Sequence, residues 1–98
     1  MVYDDIAEFA DEEIRMIWAE TERQDWVLGL KGGSEALISR IFQIVGDEES
    51  MKIKADMKAS GPSKMSKVEY VQLGIVYKVL QLEQDGKLKI PREHDPWV

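Results

Sequence analysis

The chain contains no cysteine, one histidine and three prolines in 98 residues. Without cysteine there is no disulfide framework, no thiolate nucleophile and no thiolate metal site. No apolar run approaches the roughly 18 residues of a membrane-spanning helix. No charged-apolar-small leader opens the chain, so a cytoplasmic location is the simplest expectation. The lone histidine, His94, stands between Glu93 and Asp95 in a polar tail. A metal would need further ligands at matched spacing, and a catalytic base would need a positioned nucleophile. His94 is therefore read as a solvent histidine, no cofactor is expected, and nothing here makes a case for an enzyme. Clustered basic charge is also missing. Residues 1–30 carry nine acids against Arg15 and Arg23, and the net charge is −6. That disfavours nucleic acid and anionic membrane as partners and favours a protein.

What is present reads as one soluble, all-α domain, 44% hydrophobic and 33% charged. Helices are expected over roughly 3–8, 11–20, 22–30, 34–45, 47–59 and 66–85, with a tail over 91–98. Ile14, Ile17 and Trp18 repeat at helical spacing. Thr21, with Gln24 three residues on, offers a capping box for the next helix. That helix carries Trp26, Val27 and Leu30 and stops at Gly32-Gly33. The glycine pair resembles a phosphate loop only faintly, because no strand precedes it. Ser34 is the expected N-cap of a helix whose apolar stripe is Leu37, Ile41, Ile44 and Val45. Gly61-Pro62 forces a break. Beyond it, Ser66 and Glu69 suggest a capping box, and Met65 with Tyr70 a hydrophobic staple. The last helix has two apolar rows, Val68, Val71, Ile75, Val79 and Leu82 beside Leu73, Val76 and Leu80. So wide an arc predicts packing among several other helices. Lys87 to Ile90 reads as extended. Trp18 and Trp26 read as core, Met51 as exposed, and Trp97 lies in the tail.

Residues 47–59 differ from the rest. Asp47, Glu48, Glu49, Lys52, Lys54, Asp56 and Lys58 all fall on one short helix. By itself such a run is a solvated face. The acids sit at the N-terminus, Lys58 near the C-terminus, and Glu48–Lys52 and Lys52–Asp56 are i, i+4 pairs.

The segments that frame this helix carry a resemblance. Val2-Tyr3-Asp4-Asp5-Ile6, Leu30-Lys31-Gly32-Gly33-Ser34-Glu35, Gly61-Pro62 and Val68-Glu69 occur in the order and spacing of the C-terminal domain of the FliG family, the flagellar motor switch proteins. The resemblance runs from about Val2 to Ile90. It implies a compact six-helix bundle in the rotor of the flagellar motor, at the cytoplasmic face of the inner membrane. It further implies that the helix at 47–59 faces the cytoplasmic loop of a MotA-like stator, with FliM, other switch subunits and neighbouring FliG copies as further partners. The stator-facing charges it implies are Lys31, Glu48, Asp56 and Lys64. Lys31 and Asp56 keep the family charge. Lys64 stands in place of an arginine, Glu48 reverses an arginine, and Ala55 replaces an acid next to Asp56. The family's Met-Phe-x-Phe hinge is reduced to Val2-Tyr3, with Met1 at a phenylalanine position, and the FliM-binding domain is not in this sequence. A cut fragment and a free-standing domain both fit, and a non-motor helical interaction module of the same fold is the alternative function.

Overall fold

The computed structural model describes residues 1–90, which form six helices and no strand among the described residues. A 3-10 helix, Tyr3–Glu8, leads into α1 (Asp11–Ala19), α2 (Arg23–Lys31), α3 (Glu35–Val45), α4 (Asp47–Ala59) and α5 (Met65–Gln84). Acidic side chains start the first two. The Val2 amide donates to Asp5 at 2.9 Å, and the Ala10 amide donates to Glu13 at 3.1 Å. Each bond satisfies a backbone donor beside the helix start and places negative charge at its positive end. Ser34 caps α3 as its sequence predicts, accepting from the Leu37 amide at 3.2 Å.

Two expected caps do not form. The Thr21 hydroxyl is buried and donates back to the Ile17 carbonyl at 2.9 Å, so Glu22 takes the N-cap position of α2. Gln24 bonds the Glu22 side chain instead of closing a box. Ser66 is already inside α5, which begins at Met65 after Lys64, so its hydroxyl cannot act as an N-cap. The Met65–Tyr70 staple also fails, because both side chains are exposed and have no apolar surface to close against.

The core lies between α1, α2, α3 and α5, with Ile14, Ile17, Trp26, Leu37, Ile41 and Val79 fully enclosed. Trp26 stacks on half-buried Trp18, ring centroids 5.3 Å apart. One row of α5 behaves as its periodicity predicts: Val68, Ile75, Val79 and Leu82 are buried and Val71 packs against the core. The second row does not. Val76 is buried, but Leu73 is 59% and Leu80 39% exposed. The long helix therefore lies at the side of the bundle, against α2 and the 3-10 helix, and is not surrounded. Lys87 to Ile90 forms no strand. Its Leu88 and Ile90 side chains are buried, and Glu13 and Glu83 accept the amides of Lys89 and Ile90 at 3.1 and 2.9 Å. His94 and Trp97 lie outside the described residues.

Two glycines set the angles between helices. Gly32 ends α2 at φ −103°, a conformation open to any residue, so its requirement is space. A Cβ there would lie 2.8 Å from Val68 Cγ1 and 2.9 Å from Gln72 Nε2. Helix termination is thus only part of its role: it lets the end of α2 touch α5, where Gln72 donates to the Gly29 carbonyl at 2.8 Å. Gly46 alone joins α3 to α4, with φ +91°, a region that L side chains seldom enter.

Arg40 of α3 ties down the chain between the 3-10 helix and α1. It donates to the carbonyls of Ala7 (3.3 Å) and Phe9 (2.6 Å) and to Asp11 Oδ1 (2.7 Å). Arg40→Ala is expected to destabilise the domain by about 1–3 kcal/mol, since it strands carbonyls that a charged donor now satisfies. Arg40→Lys should recover only part of the loss, lacking the fork. Urea titration of the three proteins checks this, and an Arg40→Ala midpoint equal to wild type would refute it.

Candidate interaction surface

α4 is helical because of its ends and is held in place by a narrow stripe. Asp47, Glu48 and Glu49 occupy its first turn and Lys58 its last, matching the helix dipole. Ser50 and Ile53 are buried and Met57 is half-buried, at i, i+3, i+7 spacing. The Ser50 hydroxyl lies 2.7 Å from the Gly46 carbonyl and 2.9 Å from that of Phe42, which fixes the helix start on α3. All remaining positions except Glu49 face solvent, Met51 among them at 69% exposure.

Several of the ridge charges are already engaged within the domain. Glu49 accepts from Arg23 of α2 and holds that guanidinium above its usual pKa. Lys54 Nζ sits 5.1 Å from the centre of the Phe42 ring. Lys52 pairs with Glu48 at 3.5 Å, one of the two expected i, i+4 pairs. The other, Lys52–Asp56, is not an ion pair among the described residues. Asp56 stays exposed within the field of Arg23.

The four residues implied by the resemblance take different positions. Lys31, at the end of α2, is half-buried and donates to the Gly61 carbonyl and to Ser63 Oγ, the latter at 2.9 Å. Its ammonium clamps the loop between α4 and α5. Lys64, at the end of that loop, is exposed. Asp56 and Lys64 both line one open groove of about 800 Å³. Glu48 does not: it stands two turns earlier on α4, about 12 Å along the axis. Lys31 thus acts on the groove through Ser63 in its wall, and Glu48 belongs to a separate part of the ridge.

Of the residues that line this groove, sequence reasoning singled out only Asp56 and Lys64. Arg23, Val27 and Leu28 of α2 form one side, and Pro62, Ser63 and Lys67 belong to the other. Val27, Leu28 and Pro62 give the groove apolar surface, and Arg23, Lys64 and Lys67 set three cations beside a single acid, Asp56. Such a surface suits an acidic peptide segment that carries an apolar side chain. Arg23 could have been noticed as one of only two bases in residues 1–30. Its proximity to Asp56, 33 positions later, could not. Among the described residues no cluster of His, Asp or Glu could hold a metal ion, and no helix is long and apolar enough to cross a membrane.

An all-helical domain with a charged surface helix and a cation-rimmed groove is the class that fold and site define. The family model described as the FliG C-terminal domain matches residues 1–90, and the chain belongs to that family. The flagellar motor switch protein FliG of Thermotoga maritima is 30% identical over 91 residues, 93% of this chain and 27% of that protein. FliG of Pseudomonas aeruginosa is 28% identical over 87 residues, 89% of this chain and 26% of that protein. The chain therefore spans about a quarter of the length of these curated relatives. The crystal structure of FliG residues 116–343 from H. pylori superposes with a TM-score of 0.89 at 21% identity, covering 93% of this chain and 40% of that one. That last likeness establishes the fold.

Proposed function

We propose that this domain is a rotor component of the flagellar motor switch, and that the end of α4 and its groove receive the cytoplasmic loop of a MotA-like stator. The observation that carries the reading is the convergence of Asp56 and Lys64, from separate elements, on one groove rimmed by Arg23 and Lys67. Exposed charges of this kind steer and orient a partner more than they hold it. Repeated engagement and release needs that property. FliM, the other switch subunits and neighbouring FliG copies would be its partners in the ring, at the cytoplasmic face of the inner membrane.

The test is binding of the cognate stator loop to the domain, read beside motility. Lys64→Glu with Lys67→Glu should weaken binding about tenfold, since each exposed charge pair is worth up to roughly 1 kcal/mol. Raising salt should weaken the wild-type complex in the same direction, because screening shortens the reach of exposed charges. Unchanged binding in the double variant, together with normal swimming after gene deletion in a cell with no second copy, would reject the motor reading. The alternative is a non-motor helical interaction module. One observation favours it: Glu48 is paired on its own helix with Lys52, so the charge at the reversed position is engaged within the domain. Under that reading deletion leaves swimming intact while loss of the groove charges still weakens a protein complex.

A further inference from the structure

The face of α5 turned away from the bundle carries Tyr70, Leu73, Tyr77 and Leu80, exposed by 78, 59, 72 and 39%. Their spacing of three, four and three residues draws one straight apolar seam, the pattern of the a and d positions of a coiled coil. The seam runs about 15 Å along the helix. Nothing else among the described residues covers it. Gly74 lies beside it, in the interior of a 20-residue helix, where glycine weakens the structure. A Cβ at Gly74 would meet nothing within 4 Å, so no contact inside this domain requires the glycine. Close approach of a second helix would.

We propose that this seam pairs with the same seam of a second copy, the two α5 helices running antiparallel about Ile75. In that register Tyr70 of one copy meets Leu80 of the other, and Leu73 meets Tyr77. Every layer then holds one tyrosine and one leucine, so the two helices keep an even separation. A parallel pair would alternate tyrosine–tyrosine with leucine–leucine layers and would align the helix dipoles unfavourably. Charge permits self-pairing here and disfavours it at the acidic end of the chain. Within α5, Lys67 and Lys78 offset Glu69 and Glu83, whereas residues 1–30 carry nine acids against two bases. Ser66 and Gln84 would bracket the apolar layers with polar ones.

The area indicates how tight the pairing is. At these exposures the four side chains offer on the order of 500 Å² per copy. Met1 and Val2, 40 and 64% exposed, adjoin Leu73 and Val76 and widen the rim. A stable interface usually takes about 800 Å² from each partner, so this is a concentration-dependent dimer and not an obligate one.

Sedimentation of the 98-residue chain from about 10 μM to about 1 mM is the first test, spanning the affinity expected of so small an interface. The weight-average mass should climb from 11.3 kDa toward twice that value. Leu73→Glu and Tyr77→Glu, each at an exposed position, should keep the helical circular dichroism and abolish the rise. The absence of native cysteine allows a geometric test as well. A mixture of Leu73→Cys and Tyr77→Cys should oxidise to a disulfide dimer several-fold faster than either variant alone. A chain that stays monomeric to the highest concentration would overturn the proposal, and so would a dimer that survives both glutamate variants. Faster cross-linking within each single variant than between the two would overturn the antiparallel register.

Discussion

Ile53→Ala is expected to destabilise the domain by about 2–5 kcal/mol, the range for removing a fully buried branched side chain and leaving a partial cavity. Domains of this size are stable by roughly 5–15 kcal/mol, so the loss is a large share of the total. It should also be local. Ile53 is the only side chain of α4 with no exposure, and its companions in the anchoring stripe are a serine and a half-buried methionine. Little else attaches this helix by apolar contact to α2 and α3. Amide exchange in 47–59 should therefore speed up before exchange in α5, and Asp56 should lose its place in the groove it shares with Lys64. The binding proposed for the groove would weaken although no groove residue has changed. Met51→Ala, two residues away but exposed, should shift stability by no more than about 0.5 kcal/mol. Equal protection of α4 in Ile53→Ala and wild type would contradict this account.

Tyr3→Phe should do the opposite and stabilise the domain, with an effect that grows with pH. The Tyr3 ring is buried, and its hydroxyl has no hydrogen-bond partner among the described residues. Removing an unsatisfied buried hydroxyl recovers about 1 kcal/mol or more of desolvation cost. Burial, and secondarily the charge of Asp4, push the phenol well above its ordinary value. The unfolded chain ionises its tyrosine near pH 10 while the folded one does not. Above that pH the unfolded state binds fewer protons, so the stability of the wild type falls as pH rises. The slope from this one group approaches about 1.4 kcal/mol per pH unit. Well below pH 10 the effect vanishes. Chemical denaturation of both proteins at pH 9, 10 and 11 isolates it as their difference, because every other titrating group is shared. Parallel alkaline slopes would show that Tyr3 is not buried in this way.

Most element boundaries were legible because their causes are local. Gly46, Gly61-Pro62 and Gly86 interrupt helical periodicity within a residue or two of where the helices end, and Ser34 begins α3 as expected. The failures share one physical origin. Ser66 has the spacing of a capping box, but the clamp of Lys31 on Gly61 and Ser63 shapes the loop before it, and the helix begins at Met65. Thr21 could serve as a cap or bond back into its own helix, and burial against the core selected the second. On α5 the period identifies two apolar rows and cannot say how many neighbours there are to cover them. Arg40 gives no local signal, since its three acceptors lie about 30 residues upstream.

The charged helix shows the same division. Its existence, its polarity and its solvent-facing charges follow from residues 47–59 alone, because dipole matching and apolar spacing act within a few turns. Which charges remain available to a partner is a tertiary matter. Arg23 occupies Glu49, the Phe42 ring faces Lys54, and a loop takes up Lys31, each through contact between separate elements. Asp56 and Lys64 share a groove for the same reason. Charges act over several ångströms in space regardless of their distance along the chain, and only the packing of α2, α4 and α5 brings these within reach of one another.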